Sequence, residues 1–497
     1  MHSLAEALGV LIVSWLTYQW YAFRSTRAKI DHIPTVGSDG FIGSYLGAWK
    51  YFLSGYKVIE EGYEQALLSK CALSRPNHNG WIVVSGQDMV EELRRAPESE
   101  LSSVGNVVDL LQVDYVLGKH VSDAEWYHVS VTQKQMNRNV SVLFPGIMDE
   151  MRAAFEDHIP LTEDWTSLKA VDTFVHMVCR IVNRFFFPTL QLHKDAEFLK
   201  LQTDFSVVLI LTATVIGLFP TALRHIVTRL ISRVPRTLKK MKILLGPMLE
   251  ERLRLDTELG RDWEGKPNDL VSWLLEATPP AQRTVDDLII RIMKSEFGGL
   301  HTTSIVLSDT LFDLAARPEY IQPLREEIEE VISQHGWTKD AFSRMHKLDS
   351  VIKESSRLGG LNFRKAAKDF TFSNGLTIPA GYSVGCVSRA MQRDLSVFKN
   401  GDQFDGFRFI RGSDEPAMVS GITNPDINFV LFGSGGRHHC PGRFLAIAEL
   451  KAMLSHILIN YDIRLPGDLR TPPAGQFFGT NRGANTFAKL EFRKRRA

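Results

Sequence analysis

Residues 432–444 read FGSGGRHHCPGRF: four glycines, two arginines, two adjacent histidines and one cysteine, Cys440. The chain has only four cysteines, Cys71, Cys179, Cys386 and Cys440. A structural cysteine favours an apolar slot and gains nothing from a glycine-rich, cationic turn. A thiolate does gain, because backbone N–H groups and nearby cations stabilise its charge. Beyond the turn, Ile447, Leu450, Leu454, Ile457 and Leu458 recur at helical spacing. Cys440 therefore sits just before a helix N-terminus, where unpaired amides and the positive dipole end favour an anion. The glycines allow close approach of backbone to a bulky partner. Arg437 and His438 are placed to neutralise anionic groups on that partner.

The rest of the composition narrows the setting. A chain of 497 residues can bury a large core, either as two or three domains or as one large α-rich enzyme domain. A net charge of +1 gives no electrostatic footprint for nucleic acid. The cysteines form no close-spaced pair, which argues against a disulfide framework or a thiolate zinc site and for a reducing compartment.

The N-terminus differs from the body. Residues 4–23, LAEALGVLIVSWLTYQWYAF, carry one charge, Glu6. A helix of that length spans roughly 30 Å, the hydrocarbon thickness of a bilayer. Trp15, Tyr18, Trp20 and Tyr21 gather toward its end like an interfacial belt. Arg24, Arg27 and Lys29 follow and no lysine or arginine precedes, so the positive-inside rule leaves the body in the cytosol. A cleaved signal peptide fits worse, because the basic residues lie on the wrong side and no small-residue cleavage site stands out. The expected organisation is a membrane anchor over residues 1–29 and a catalytic domain over 30–497. Pro34 and Gly37 break the helix between them. The sequon Asn139-Val140-Ser141 then never meets the lumen.

Most of the remainder has helical period, and the expected fold class is mainly α with small β-sheets. Strands are expected at 81–85, over 369–387 around the turn Ser373-Asn374-Gly375, and over 477–492. A second apolar run, FSVVLILTATVIGLFPTAL at 205–223, has three readings. It is a membrane span, a surface that dips into a bilayer beside a substrate entrance, or, as preferred here, a buried helix ending before Pro220.

Residues 288–314 form a long helical pattern interrupted by Gly298-Gly299-Leu300-His301-Thr302-Thr303. Each glycine costs roughly 1 kcal/mol in a helix interior. Two readings compensate for that cost. In one, a flat object packs on the bare backbone and a threonine hydroxyl intercepts the helix hydrogen bonds. In the other, a helix crosses at small residues. Glu354-x-x-Arg357 places an acid and a base on one helix face. The same spacing occurs at Glu91/Arg94, Glu92/Arg95 and Glu251/Arg254, and most such pairs are solvated.

Together these stretches identify a family. The turn at Cys440 resembles the haem-binding loop of the cytochrome P-450 monooxygenases, whose cysteine thiolate is the axial ligand of haem iron. Gly298 to Thr303 resembles their oxygen-activating groove. Glu354 and Arg357 resemble their Glu-x-x-Arg pair, and Arg408 in the stretch FDGFRF at 404–409 resembles the arginine that joins it in a buried ion network. The apolar N-terminus and its hinge resemble those of microsomal members. The resemblance runs along essentially the whole chain and implies the P-450 fold behind a single N-terminal transmembrane helix, haem b bound through Cys440, and O2 as co-substrate. It implies electrons from a membrane-bound NADPH reductase docking near Arg437 and Arg443, a lipophilic substrate and an endoplasmic reticulum location. It also implies that Phe432 packs by the haem and that the N–H groups near Gly442 temper donation from sulfur. Thr302 would steer proton delivery, Phe297, Leu361, Phe363 and Phe478 would line the pocket, and Glu354, Arg357 and Arg408 would be structural.

Three departures qualify this. Phe432 lies eight residues before Cys440 rather than seven. His301 stands where most members have an acid, so it is the expected proton relay, with an intrinsic pKa near neutrality. The His-Thr-Thr version resembles fungal members acting on terpenoid-type metabolites, including gibberellin-pathway oxidases. Four residues after Trp126, where an arginine often holds a haem propionate, this chain has Ser130, leaving His128, Lys134 or Arg364 to serve. Three rival functions remain: a cysteine hydrolase, which needs a Cys–His pair that sequence neighbours rarely form; a non-catalytic haem sensor; and an oxygen-independent isomerase or dehydratase. No flavin- or nicotinamide-binding glycine pattern occurs, so the chain cannot reduce itself.

Overall fold

The computed structural model describes residues 2–34, 40–43, 46–47, 50, 54–55, 57–58, 71–75, 78–219, 221–357, 362–386, 392–393, 398–410, 421–424, 429, 431–433, 439–478 and 481–496. Its axis is one helix, Val285–Ala316, 32 residues long. The Thr284 side chain caps it by accepting the Asp287 N–H at 3.2 Å, and Asp286 and Asp287 face the positive end of its dipole. Pro318 follows its end. Around it pack Ala170–Phe186, Val234–Glu258, His346–Arg357 and Arg443–Asn460. The buried apolar side chains of these helices form one continuous core.

The sheets are small and peripheral, as the short alternating stretches imply. A five-stranded sheet orders Cys71–Arg75, His78–Val84, Ser383–Cys386, Asn362–Ala366 and Leu101–Ser102. Its one parallel pairing sets Trp81 against Ser383 and Val84 against Cys386. The expected turn at 373–375 joins Phe370–Thr371 to Thr377–Ile378, with Gly375 at φ +83°. The C-terminal stretch supplies Gln476–Phe478, Asn481–Gly483 and Lys489–Lys494, the last pairing with Thr166–Lys169 and Tyr461–Arg464.

The N-terminal segment is helical over His2–Ala28 and exposes Val10, Ile12, Val13, Trp15, Leu16, Tyr18, Trp20 and Tyr21. Among the described residues, the helix long and apolar enough to cross a membrane is the second run, Ala196–Gly217, and half of its apolar window is buried. Phe198, Leu201, Phe205, Leu209 and Ile216 face the core, whereas Val207, Ile210, Leu211 and Val215 are exposed. The following helix, Thr221–Ile231, exposes Leu223, Ile226, Leu230 and Ile231. The preferred reading of a simply buried helix is thus corrected. One face packs, and the other continues an apolar surface.

Glu449, on the helix that follows Cys440, is buried, and burial raises its carboxyl to about 8. Its folded pKa lies above the unfolded one, so the folded state holds the extra proton. This contribution is intact below the unfolded pKa and is lost as pH rises toward the folded value. Glu449→Gln, which is isosteric and never ionises, is expected to reduce the fall in urea midpoint between about pH 5 and 8. Equal slopes in the two proteins would show that Glu449 does not titrate in the core.

Candidate functional site

Two features of the long helix set the site. First, its hydroxyls turn back on their own backbone. Thr302 Oγ1 donates to the Gly298 carbonyl at 2.9 Å, Ser304 to Leu300 at 2.8 Å and Ser308 to Ser304 at 2.8 Å. The helix nevertheless stays continuous, so these bonds share the carbonyls rather than open the ladder. Second, Glu296, Leu300, Thr303, Ser304 and Leu307 are buried, yet Gly298 and Thr302, one turn apart, are exposed. Exposure in the middle of a core helix means open space inside the molecule. Apart from the helix's own backbone, a Cβ built on Gly298 or Gly299 meets no atom of the described residues within 4 Å. Among the described residues, therefore, no helix crosses at these glycines. Gly298→Ala is expected to raise stability by about 1 kcal/mol while shrinking the open space and lowering turnover. A loss of stability in thermal unfolding would mean that a neighbour occupies the gap.

His301 lies beside Thr302, and burial lowers its imidazole below the ordinary range. Its Nε2 is buried with no hydrogen-bond partner among the described residues. Burial thus favours the neutral ring. Phe297 is half-buried against the core. Phe363 lies in the strand Asn362–Ala366, paired with Gly385. Phe478 ends the strand Gln476–Phe478 opposite Asn481. Leu361, Arg437 and His438 lie outside the described residues.

Cys440 precedes the helix Arg443–Asn460, whose N-cap is Gly442. Its backbone N–H donates to the Phe432 carbonyl at 2.9 Å, and Gly433 has φ +91°. Among the described residues, this hydrogen bond and the left-handed Gly433 belong to the eight-residue spacing, and the Phe432 ring packs on the core. Asn137 Nδ2 donates to the Pro441 carbonyl at 3.3 Å, and Arg443 holds the Thr423 carbonyl at 2.8 Å and that of Cys440 at 3.1 Å. The sulfur itself meets opposed effects. Burial pushes the thiol up, whereas the amides of Gly442 and Arg443 and the Arg443 charge pull it down, and burial wins. The helix terminus alone therefore does not ionise this thiol. A metal ion would, since a coordinating thiol is deprotonated outright.

Glu354, Arg357 and Arg408 meet in one buried network. Arg357 donates from Nε and Nη2 to Glu354 at 2.8 and 3.1 Å. Arg408 Nε donates to the same carboxylate at 3.1 Å, and the Asp405 backbone N–H donates to it at 2.9 Å. The remaining guanidinium protons go to carbonyls, from Arg357 to Gln392, Gly401 and Gln403 and from Arg408 to Lys399 and Gln403. By contrast, Glu251 and Arg254, at the same spacing, are half exposed.

A planar, doubly anionic porphyrin finds matching features here. The bare groove at Gly298 and Gly299 admits a flat body. Buried donors that lack an acceptor among the described residues suit carboxylates: Arg364 Nε and Nη2, Trp126 Nε1 and Lys294 Nζ. Arg364 spends its third donor on the Leu93 carbonyl. His128 is buried, its Nδ1 3.4 Å from Arg291 Nη1 and its ring beside Trp126. Lys134 lies in a short π-helical turn. Lys294 escaped the sequence reading. A lone lysine in phase with Gly298 and Thr302 was the available signal.

Comparisons with known proteins agree with the geometry. The family model described as Cytochrome P450 matches residues 70–484. Cytochrome P450 monooxygenase 151 of Postia placenta is 36% identical, over 98% of this chain and 98% of its own. Cytochrome P450 monooxygenase CYP512U6 of Ganoderma lucidum is 30% identical, over 91% of this chain and 90% of its own. Cytochrome P450 monooxygenase paxQ of Penicillium paxilli is 31% identical, over the same shares.

Proposed function

Because the chain belongs to the cytochrome P450 family of haem-thiolate monooxygenases, we propose that it oxidises a lipophilic small molecule, a fungal terpenoid or meroterpenoid, using haem b bound through Cys440. The observation that carries this reading is the open stripe at Gly298 and Thr302 on an otherwise buried helix. When bound, the haem supplies oxygen activation driven by electrons from a reductase. The polypeptide supplies everything else. The amides of Gly442 and Arg443 point at the sulfur and temper its charge. The Thr302 hydroxyl, parked on the Gly298 carbonyl, can rotate into the open space and pass a proton there. Neutral His301 can accept a proton from one side and release it on the other. Glu354, Arg357 and Arg408 hold the chain on the cysteine side in place.

The electron donor in this reading is a membrane-bound NADPH reductase docking near Arg437 and Arg443. Residues 1–29 serve as a single-pass anchor in the endoplasmic reticulum membrane, supported by the exposed apolar side chains of His2–Ala28. Residues 30–497 form the catalytic domain in the cytosol, and the apolar surface over 207–231 rests on the bilayer. The terpenoid class rests on the His-Thr-Thr groove and on the fungal relatives.

Thr302→Ala is expected to keep haem and NADPH consumption but to divert most electrons to peroxide. Product per NADPH should fall about tenfold, and His301→Ala should fall less. The test is NADPH- and O2-dependent conversion of fed terpenoids by the protein expressed with a reductase, followed by mass analysis. Turnover without oxygen would favour the isomerase or dehydratase reading instead. Absence of any turnover with intact thiolate haem would favour the sensor.

A further inference from the structure

We propose that Lys294 and Trp126 form a buried carboxylate-binding pole at one end of the open stripe that carries Gly298 and Thr302. Lys294 lies one turn before Gly298 and two turns before Thr302, so these residues share a helix face. The axial distance from Lys294 to Thr302 is about 12 Å. The inference rests on the haem-thiolate reading given above.

Lys294 Nζ sits 3.6 Å from the centre of the Trp126 ring. Both Nζ and the indole Nε1 are buried, and neither has a hydrogen-bond partner among the described residues. A cation over an aromatic face is attracted by the ring quadrupole. Burying an ammonium without an acceptor costs more than that attraction returns, so the ring alone does not explain the position.

Among the described residues, no carboxylate hydrogen-bonds to either member of the pair. Asp287, the carboxylate on the same helix whose charge reaches Lys294, is taken by Arg291 at 3.0 Å and by the Tyr127 hydroxyl at 2.7 Å. Arg291 turns a further N–H toward His128 Nδ1 at 3.4 Å, so that imidazole acts as an acceptor and stays neutral. Burial and the Lys294 and Arg291 charges hold its pKa well below the usual range. Lys294 itself is depressed to about 7 by burial and by Arg291, with Asp287 opposing. Two hydrogen-bond donors and an excess of positive charge therefore face a space that lacks an acceptor. A carboxylate supplies both needs, because its oxygens only accept and its charge restores the ammonium.

Two molecules can bring that carboxylate: the haem, through a propionate, or a substrate that carries an acid group away from the oxidised carbon. In the first case Lys294 replaces the cation missing at Ser130. In the second it selects acidic substrates over neutral ones and holds them at a fixed distance from Thr302.

The full-length protein with bound haem separates these outcomes. Wild type, Lys294→Met, Lys294→Arg and Trp126→Phe are compared in two ways. One is the rate of haem transfer to excess apomyoglobin. The other is the ratio of dissociation constants for abietic acid and its methyl ester, read from the haem spin-state shift. A propionate site predicts haem loss accelerated roughly tenfold in Lys294→Met, restored in Lys294→Arg, and intermediate in Trp126→Phe. A substrate site predicts unchanged haem loss and a preference for acid over ester that disappears in Lys294→Met and returns in Lys294→Arg. If neither quantity moves, the pole binds no carboxylate and the proposal is overturned. If Lys294→Met does not fold, Trp126→Phe decides by the same two measurements. The carbon monoxide spectrum of wild type keeps the parent reading separate: without a thiolate-haem band that reading fails first, and with one only this inference is at stake.

Discussion

Cys440→Ser is expected to fold normally and to show no thiolate-type band in the carbon monoxide difference spectrum. Its NADPH-dependent turnover should fall by at least about a thousandfold, about 4 kcal/mol of barrier. Apart from the Gly442 and Arg443 amides, which a serine oxygen can also receive, the described bonds that shape the turn do not use sulfur. They run from the Cys440 amide to Phe432, from Asn137 to Pro441, and from Arg443 to Thr423. The loop therefore survives the change, and what is lost is the soft, readily ionised ligand. A serine hydroxyl in the same buried site stays protonated, because burial already raises even the thiol. Circular dichroism, haem content and turnover measured together give the answer. If the serine variant kept the band, the sulfur at 440 would not be the iron ligand and the proposed chemistry would have to move to another residue.

Glu354→Ala is the other large effect, and it concerns stability rather than chemistry. Removing the carboxylate leaves Arg357 and Arg408, 1% and 5% exposed, without their shared counter-charge. Breaking a buried pair in this way costs about 3–5 kcal/mol. The expected result is a lower urea midpoint and poor haem retention in purified protein. Glu251→Ala is the control. It removes the acid of a pair with the same i,i+3 spacing, but Glu251 and Arg254 are 52% and 51% exposed, so no measurable change is expected. Equal effects in the two variants would refute the claim that burial, not spacing, separates them.

That contrast shows where sequence reading stops. Glu354-x-x-Arg357 and Glu251-x-x-Arg254 are the same pattern in one dimension. Only the return of residues 398–408 over Arg357, bringing Arg408 and the carbonyls of Gly401 and Gln403, makes the first a network. The glycines at 298 and 299 behaved similarly. Their helical cost was visible at once, but whether a helix or a void lay opposite depended on what packed there. The phase of Lys294 with Gly298 and Thr302 was visible in the sequence, but its burial was not, because its partner ring, Trp126, is distant in sequence and an isolated lysine in a helix normally reaches water.

The sequence by itself determined the local events. The glycine-rich turn places one cysteine before a helix, the helical period over 288–314 marks the long helix, and short alternating segments become edge sheets. Each follows from backbone preference and spacing within a few turns of chain. The tertiary structure decided the energetics: which charges are buried, whether the cysteine is ionised by its own surroundings, and where donors are left without acceptors. Desolvation and hydrogen-bond satisfaction depend on atoms brought together from remote parts of the chain, and no local pattern carries that information.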